Sequence, residues 1–452
     1  MNGQSTAYLA RFLNYETQSL LKSSTIFNLN RIQHLLAQLN HPERKYPIIH
    51  VVGTKGKGST SIFISSMLRA AGLRVGLYTS PHLYNYTERI RVLTPGDSFE
   101  KRKNIFYGKI SPQQLEKVLN EIKPKIEKIE REKVLGSLTF FEVYTAIAFY
   151  FFAQQQVDVV VAEAGLGGRF DATNTGASDI CVFTPISYDH TQVLGDTLKK
   201  IAREKAAIIK PSTRMVFSAP QNPEACAQIE SEAKKFALNV ARVGCEIRYK
   251  IISQNLLGVI FRLWGIYHRW PRLQSHLLGE HQVINASLAA AVVEYFLGEK
   301  NKLAKSAIVK GAAQARWPAR FEIVSKKPCV VIDSAHNKDS AQRLAQAVVQ
   351  NFPRKKIIVL LGISRDKDIE GILQQLVPIS RKVILTSSRH PRSFDFFKEK
   401  EKFLRIKEVC ITQEAKEGFR LAKKEAGARD VIVVAGSVFL AAEIRKLCKA
   451  KI

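Results

Sequence analysis

Short runs of apolar, mostly β-branched residues recur along this chain, and stretches with helical spacing separate them. Runs of this kind are typical of buried strands in a parallel sheet, and their alternation with helices predicts an α/β fold. A polar stretch at 298–302 divides the pattern into two predicted domains, residues 1–298 and 299–452. The predicted strands lie at 48–52, 74–79, 157–162, 180–186, 357–361, 383–386 and 431–434.

Apolar positions three or four residues apart predict several helices. One or two lie within residues 1–45, and residues 113–133 predict a charged helix with a solvated face. Residues 139–152 are apolar nearly all round, which predicts a buried helix that is too short to span a bilayer. Residues 211–275 alternate short strands with turns, and we expect them to complete the sheet of the first domain. The apolar positions of the first helices are Phe12, Leu13, Leu20, Leu21, Ile32, Leu35, Leu36 and Leu39.

The chain is strongly basic, with 69 Lys and Arg against 40 Asp and Glu, a formal charge of +29 and a pI near 9.9. This excess fits a nucleic-acid or anionic-membrane partner, or a basic proteome with anionic substrates. The basic residues are scattered, and the densest patch, 100–109, lacks long Lys/Arg runs, so we expect no nucleic acid and no membrane as partner. Six separate cysteines and an N-terminus without a signal segment predict reduced thiols and a cytoplasmic location.

Residues 53–60, which we call the glycine turn, are a candidate anion site after the first strand. Gly53, Gly56 and Gly58 permit a tight turn with inward N–H groups, and the helix that follows directs its positive end at the same anion. Lys57 adds positive charge, but it stands four residues after Gly53 and not six, so a turn without a ligand stays open. The candidate phosphate contacts are Gly53, Thr54, Gly56, Lys57, Gly58, Ser59 and Thr60, and Ser59 or Thr60 could also reach a magnesium ion.

Two further segments complete a recognisable set of motifs. Residues 79–83 read Thr-Ser-Pro-His-Leu, and residues 165–174, which we call the glycine loop, read Gly-Leu-Gly-Gly-Arg-Phe-Asp-Ala-Thr-Asn. With the glycine turn, they resemble the folylpolyglutamate synthase/dihydrofolate synthase family of the Mur ligase superfamily, and the resemblance runs from about residue 25 to 445. It implies an N-terminal P-loop-type ATP-binding domain with a parallel sheet and a smaller, Rossmann-like α/β domain after it.

The resemblance implies two Mg²⁺ ions. Ser80 and Glu142 would hold one, with Ser59 near the phosphates, and His190 and a carbamylated Lys205 would hold the other. Glu142 is the only charge in the apolar segment 139–152, and from the residues alone a metal site and a structural ion pair are both open. The family implies catalytic roles for Lys57, His190 and Lys205, although a lone His or Lys is more often structural or solvated.

The resemblance also implies contacts with the substrates. For Arg169 and Asp171, structural roles in the turn stay open beside substrate contacts. Ser334 and Lys338 replace the glycine and proline that the family has around its Asp-Gly-Ala-His-Asn-Pro motif. The residues implied for ATP are Asn285, Arg320, Asp333 and His336, and those implied for the pterin or folate are Pro81, His82, Phe141, Gly167, Arg169 and Asp171.

The family reaction joins a carboxylate to an amine. It implies that ATP phosphorylates the carboxylate of dihydropteroate or a reduced folate, and that the amine of L-glutamate attacks the acyl phosphate. We expect a monomeric enzyme that accepts both substrates. The alternatives are another amino-acid ligase of the superfamily, which the short segment before the glycine turn disfavours, and a basic P-loop protein that binds nucleic acid.

Overall fold

The computed structural model describes residues 3–14, 28–97, 104–406 and 408–449. The chain forms two compact units. The first comprises Met1–Gln254, Gly258–His276 and Glu280–Arg316, and the second comprises Asn255–Leu257, Leu277–Gly279 and Trp317–Ile452. The main boundary therefore lies at Trp317 and not at 299, because the helix between these two positions, Ala304–Gln314, packs on the first unit. The two-domain α/β fold is confirmed.

A seven-stranded sheet forms the centre of the first unit, in the order β3-β2-β4-β1-β5-β6-β7. Neighbouring strands are parallel except for β2 and β3. Every residue of β1, β2 and β4 is buried, as the continuous apolar runs predict. The strands are β1 (Ile48–Val52), β2 (Val75–Tyr78), β3 (Ile90–Leu93), β4 (Val159–Glu163), β5 (Ser178–Phe183), β6 (Met215–Ser218) and β7 (Val240–Arg242).

Helices cover both faces of this sheet. The predicted charged helix is α4, which buries one apolar face that includes Leu115, Leu119 and Ile126. The predicted apolar helix is α5. Leu20 and Leu21, and residues 100–103 of the basic patch, lie outside the described residues. The helices are α1 (Gly3–Leu9), α2 (Asn30–Gln38), α3 (Lys57–Ala70), α4 (Pro112–Glu132), α5 (Phe140–Gln154), α6 (Thr191–Leu194), α7 (Leu198–Ala206), α8 (Pro223–Lys234), α9 (Glu280–Leu297) and α10 (Ala304–Gln314).

The helix α10 explains the position of the boundary. Its Gly311 lies against α3 so closely that an added Cβ would be 2.3 Å from the Cα of Met67. The hydroxyl of Ser66 on α3 donates to the carbonyl oxygen of Gly311 at 2.9 Å. Residues 304–314 thus belong to the first unit, although the polar stretch before them resembles a linker.

Residues 211–275 complete the first sheet only in part. β6 and β7 join it, whereas β8 (Arg248–Asn255), β9 (Gly258–Trp264) and β10 (Arg269–Ser275) form a separate three-stranded sheet. In β9, Val259, Phe261 and Leu263 are buried and alternate with more exposed residues, which is the pattern of a sheet covered on one face. The expectation that all these strands complete one sheet is therefore wrong.

The second unit contains a six-stranded sheet in the order β11-β12-β16-β13-β14-β15, parallel except for β11 and β12. The predicted strands at 357–361, 383–386 and 431–434 all lie in it. Its strands are β11 (Glu322–Lys326), β12 (Cys329–Ile332), β13 (Ile357–Leu361), β14 (Lys382–Ser387), β15 (Val409–Glu414) and β16 (Val431–Ala435). Its helices are α11 (Lys338–Asn351), α12 (Ile369–Leu376), α13 (Ala415–Glu425) and α14 (Val438–Lys449).

In the part of the chain that the structure describes, we find no helix with the length and apolar character needed to cross a membrane. The six cysteines are free thiols.

Candidate active site

Four loops of the first unit leave the same edge of its sheet. β1, β2, β4 and β5 run parallel, so their carboxyl ends lie side by side, and open α/β sheets bind ligands at this edge. The glycine turn follows β1, Ser80 follows β2, the glycine loop follows β4 and His190 follows β5. The fold therefore brings together most of the residues that the sequence predicts for phosphate, metal and acceptor.

Two positions of the glycine turn require glycine. Gly53 has φ +149°, and an added Cβ would lie 2.0 Å from Oγ1 of Thr184. Gly56 has φ +86°, and its Cβ would lie 2.7 Å from Oδ1 of Asn285 on α9. The helix α3 begins at Lys57 without a side-chain cap, so its first N–H groups are available to an anion. Asn285 lies beside this turn, next to the expected nucleotide site.

Lysine side chains surround the same turn. Nζ of Lys57 and Nζ of Lys205 both donate to the carbonyl oxygen of Gly53, at 3.2 and 3.0 Å. Burial, and after it the nearby Lys57 ammonium, lowers the pKa of Lys205 to about 7. Lys55 pairs with Asp189 at 3.2 Å. This concentration of positive charge suits a polyphosphate. The sequence did not single out Lys55, because only the loop after β5 supplies its partner.

The glycine loop lies between α7 and α5. Its Gly168 is so close to α7 that an added Cβ would be 2.8 Å from the carbonyl oxygen of Lys205. The carbonyl oxygen of Gly167 accepts from Nζ of Lys205 at 3.5 Å. At its other end, Gly165 faces the Phe141 ring, where a Cβ would meet Cζ at 2.6 Å. Gly167 lies in this loop and the Phe141 ring lies beside it, so the fold brings these two predicted substrate residues close together.

The side chain of Asp171 has structural contacts within the glycine loop, and its predicted substrate contact stays a prediction. Its Oδ2 accepts from the N–H of Leu166 at 2.7 Å, and its Oδ1 accepts from the N–H of Thr173 at 3.0 Å. The side chain is buried, and desolvation raises its pKa although these hydrogen bonds act in the opposite direction. Arg169 pairs with Glu204 at 3.0 Å, and this side chain remains partly exposed.

The prediction that Glu142 binds a metal ion is wrong. The guanidinium of Arg31 contacts its carboxylate with Nε at 3.0 and 3.2 Å and with Nη2 at 3.0 Å. The N–H of Thr139 also donates to Oε2 at 2.7 Å, because Glu142 is the third residue of α5 and forms a capping box with Thr139. The buried carboxylate is thus the structural ion pair that the residues alone left open.

Glu163 is the carboxylate that the fold places beside Ser80. It is the last residue of β4, is 4% exposed, and accepts from the N–H of Ser80 at 3.3 Å. The sequence carried a signal for it, since a lone carboxylate ends an apolar strand and directly precedes the glycine loop. Ser80 lies at the carboxyl end of β2, at the edge of the sheet, and its role as a metal ligand stays a prediction.

His190 and its neighbour connect the loop after β5 with the glycine turn. Nε2 of His190 lies 3.8 Å from Oδ1 of Asp189, whose other oxygen pairs with Lys55. Two hydrogen bonds of 3.1 Å between the Thr54 hydroxyl and the backbone of Ser187 hold the same two segments together. His190 therefore lies at the same edge of the sheet as the glycine turn and Ser80.

Hydroxyl groups complete the set of possible metal donors. Ser59 and Thr60 lie in the first turn of α3 and are 2% and 0% exposed. Within the residues that the structure describes, Oγ1 of Thr60 has no hydrogen-bond partner, and no three His, Cys, Asp or Glu side chains are arranged to hold a metal ion. The candidate donors are therefore mixed, with hydroxyls, one carboxylate and one imidazole.

The loop after β2 carries the predicted acceptor residues Pro81 and His82. The guanidinium of Arg89 contacts Nδ1 of His82 with Nε at 3.0 Å and Nη2 at 2.9 Å. The carboxylate of Glu88 accepts from three successive N–H groups of the loop, those of residues 83–85, at 2.8 to 3.2 Å. Arg89 and Glu88 were not predicted as functional.

In the second unit, three predicted ATP residues gather at the carboxyl end of β12. Asp333 accepts from the N–H groups of Phe321 and Ala335, both at 2.8 Å, and burial raises its pKa. Arg320 donates to the hydroxyl of Ser334, and Nδ1 of His336 lies 2.9 Å from the carbonyl oxygen of Ser334. Ser334, which replaces the family glycine, thus takes part in this arrangement.

Models of two protein domains match this chain. The Mur ligase middle domain matches residues 125–293, and the glutamate ligase domain of Mur ligases matches residues 319–438. The second match includes Arg320, Asp333 and His336, which lie together at the carboxyl end of β12.

Named relatives match nearly the whole chain. The dihydrofolate synthase/folylpolyglutamate synthase of Bacillus subtilis is 33% identical over 428 residues, which are 93% of this chain and 95% of the relative. The crystal structure of Mycobacterium tuberculosis folylpolyglutamate synthase complexed with ADP and AMPPCP has a TM-score of 0.86 and 31% identity, and covers 98% of this chain and 97% of its own. The Escherichia coli protein FolC in complex with DHPP and ADP has a TM-score of 0.82 and 28% identity, and covers 99% and 98%.

Proposed function

This chain belongs to the folylpolyglutamate synthase/dihydrofolate synthase family of the Mur ligase superfamily, and we propose that one active site adds L-glutamate both to dihydropteroate and to a reduced folate. It is an ATP-dependent ligase of folate metabolism. The observation that carries the proposal is the convergence of the glycine turn, the loop of Ser80 to His82, and Phe141 at one edge of the sheet. The Bacillus subtilis relative, named for both activities, supports it further.

The glycine turn would bind the nucleotide phosphates. Its N–H groups and the first turn of α3 supply donors, and Lys57 supplies a positive charge that can follow the transferred phosphoryl group. Asn285, next to Gly56, would contact the nucleotide. The ATP contacts of Arg320, Asp333 and His336 in the second unit stay predictions from the resemblance.

The donors at this edge fit magnesium. Ser80 follows β2, Glu163 ends β4 and His190 follows β5, and the Ser59 and Thr60 hydroxyls lie at the turn after β1, so hard oxygen ligands predominate. Magnesium there would neutralise charge on the transferred phosphoryl group. We place Glu163, in place of Glu142, in this set.

Lys205 has the surroundings that carbamylation needs. Its buried amine contacts the carbonyl oxygens of Gly53 and Gly167, and its pKa near 7 leaves a large neutral fraction at physiological pH. The neutral nitrogen can attack carbon dioxide, which forms an N–C bond and releases one proton. The resulting anion would lie near Lys57 and Lys55, whose positive charges favour it.

The chain's own residues would act on the substrates mainly by position and charge. The acceptor carboxylate takes the γ-phosphoryl group of ATP, the amine of L-glutamate attacks the carbonyl carbon, and phosphate leaves with the C–O electron pair as the amine loses a proton. Lys57 and the turn N–H groups would stabilise the charge that develops on the phosphoryl oxygens. Monomeric assembly and a cytoplasmic location stay predictions.

The direct test measures magnesium-dependent ADP release with ATP and L-glutamate, and with either 7,8-dihydropteroate or a reduced folate as acceptor. We expect turnover with both acceptors. Lys57→Met should lower kcat at least about 100-fold on each, because it removes charge that the transition state needs. Lys199→Met, which alters an exposed lysine on α7, is the matched control. Turnover with one acceptor only would refute the dual assignment, and turnover with neither would refute the folate function.

A further inference from the structure

A buried arginine contacts the one histidine of residues 79–89, the loop between β2 and β3, which we call the acceptor loop. Arg89 is 1% exposed and directly precedes β3. Two of its nitrogens, Nε and Nη2, lie 3.0 and 2.9 Å from the same atom, Nδ1 of His82. This contact joins Arg89, at the end of the loop, to His82, which follows Pro81 and lies two residues after Ser80.

The chemistry of the guanidinium decides which imidazole nitrogen carries hydrogen. Arginine has N–H donors and no acceptor, and it keeps its proton in proteins. Nδ1 of His82 must therefore accept through its lone pair, which leaves the ring hydrogen on Nε2. A hydrogen on Nδ1 would meet two donors at hydrogen-bond distance.

The surroundings of Arg89 hold its guanidinium in this position. Its Cζ lies 5.6 Å from the centre of the Tyr86 ring and 5.7 Å from that of Phe140, which favours a cation at this place. Its carbonyl oxygen accepts from the N–H of Thr79 at 3.0 Å, so its backbone is tied to the start of the acceptor loop. The His82 ring in turn packs edge-on against Tyr86, with 4.5 Å between centres.

We propose that Arg89 is a positioning residue which holds His82 as the Nε2–H tautomer, so that His82 recognises the acceptor as a hydrogen-bond donor and not as a base. The partner would be an oxygen of the acceptor, a carbonyl or a carboxylate. The part-exposed ring lies two residues after Ser80, at the edge where the acceptor carboxylate is expected. The assignment of the partner rests on the proposed function, whereas the tautomer does not.

The tautomer can be measured without any substitution. In protein labelled with ¹⁵N-histidine, the Nδ1 signal of His82 should have the shift of a nitrogen without hydrogen, and the Nε2 signal that of an N–H. His82→Asn, by loss of signals, assigns the resonances. A hydrogen on Nδ1 would overturn the proposal. Arg89→Met should bring the two nitrogens of His82 closer in shift, since it removes both donors.

Two substitutions of His82 separate recognition from a structural contact. Asparagine keeps a polar atom near Nδ1 and lacks one near Nε2, whereas glutamine can place its NH₂ near Nε2. We expect His82→Asn to raise the acceptor KM roughly 5- to 20-fold with little change in the ATP KM, and His82→Gln to stay within about threefold of the wild type. A merely structural contact predicts the reverse order, and that order would overturn the proposal.

The controls keep this proposal separate from the assigned reaction. His34→Asn, an exposed histidine on α2, should leave both KM values and the melting temperature unchanged. Arg89→Lys keeps one donor and the charge, so it should restore part of the acceptor affinity that Arg89→Met loses. If the wild type turns over but both His82 variants keep its acceptor KM, only the role of His82 fails. If the wild type turns over neither acceptor, the proposed function fails and the tautomer still stands or falls by its spectrum.

Discussion

At the scale of single residues, two buried glutamates show how partner groups decide function. Glu142 and Glu163 are 5% and 4% exposed, so burial alone does not distinguish them. Arg31 satisfies both oxygens of Glu142, whereas Glu163 ends β4 beside Ser80 and accepts from the N–H of Ser80 at 3.3 Å. A carboxylate whose charge is already balanced gains little from a metal ion.

The two glutamates should therefore respond differently to the same substitution. Glu142→Gln leaves the Arg31 charge buried and unbalanced, so it should lower the free energy of unfolding by roughly 3–5 kcal/mol while kcat of the folded enzyme stays near the wild-type value. Glu163→Gln should lower kcat at least about 100-fold with little loss of stability. Urea unfolding and ADP release measure the two effects, and loss of kcat in Glu142→Gln at full stability would return the metal role to Glu142.

Lys205 gives a prediction for pH. Its pKa near 7 lies below the usual 10.5 of lysine, so the neutral amine that reacts with carbon dioxide becomes the major form as the pH rises above 7. At constant dissolved carbon dioxide, the ¹³C carbamate signal of protein supplied with ¹³CO₂ should increase from pH 6 to 8. Lys205→Met should remove that signal, and the exposed Lys199→Met should keep it. An unchanged signal across this range would contradict the lowered pKa.

At the scale of elements, the glycine turn depends on contact and not only on backbone freedom. Gly56 and Gly72 have similar φ values, +86° and +98°, but a Cβ would meet Asn285 at Gly56 and nothing within 4 Å at Gly72. Gly72→Ala should therefore cost only about 1 kcal/mol of stability, the conformational cost of a positive φ. Gly56→Ala should in addition raise the ATP KM about tenfold or more. Equal ATP KM values in the two variants would show that the contact with Asn285 is unimportant.

Most regular elements could be predicted from the sequence, because their signals are local. The runs at 48–52 and 357–361 are strands with the predicted bounds, and α3 begins within the glycine turn, at Lys57. Elements that depend on distant partners were missed. α10 belongs to the first unit because Gly311 fits against α3, and β8 to β10 form their own sheet.

The candidate site follows the same rule. Ser80, His190 and Lys205, which the resemblance implies as metal ligands, all lie near one edge of the sheet, and their metal roles stay predictions. The resemblance misplaced the carboxylate, because the ion pair of Glu142 requires Arg31 from a separate helix. A contact between two residues that lie far apart in the sequence leaves no local sequence pattern.

At the scale of the whole molecule, only part of the charge of +29 lies at the candidate active site. Lys55 and Lys57 concentrate positive charge at the glycine turn, where an anionic nucleotide and acceptor would bind. Many other basic residues form ordinary surface ion pairs, such as Lys200 with Asp196, which contribute little to stability. The net charge therefore does not define a second function.

The central claim is that one site accepts both dihydropteroate and a reduced folate, and competition between the two tests it most directly. The rate of glutamate addition to the reduced folate is measured at several fixed concentrations of 7,8-dihydropteroate, with products separated by mass spectrometry. One shared site predicts competitive inhibition, with an inhibition constant equal to the KM that dihydropteroate shows as a substrate. Independent, additive rates at saturation with both acceptors would contradict a single site.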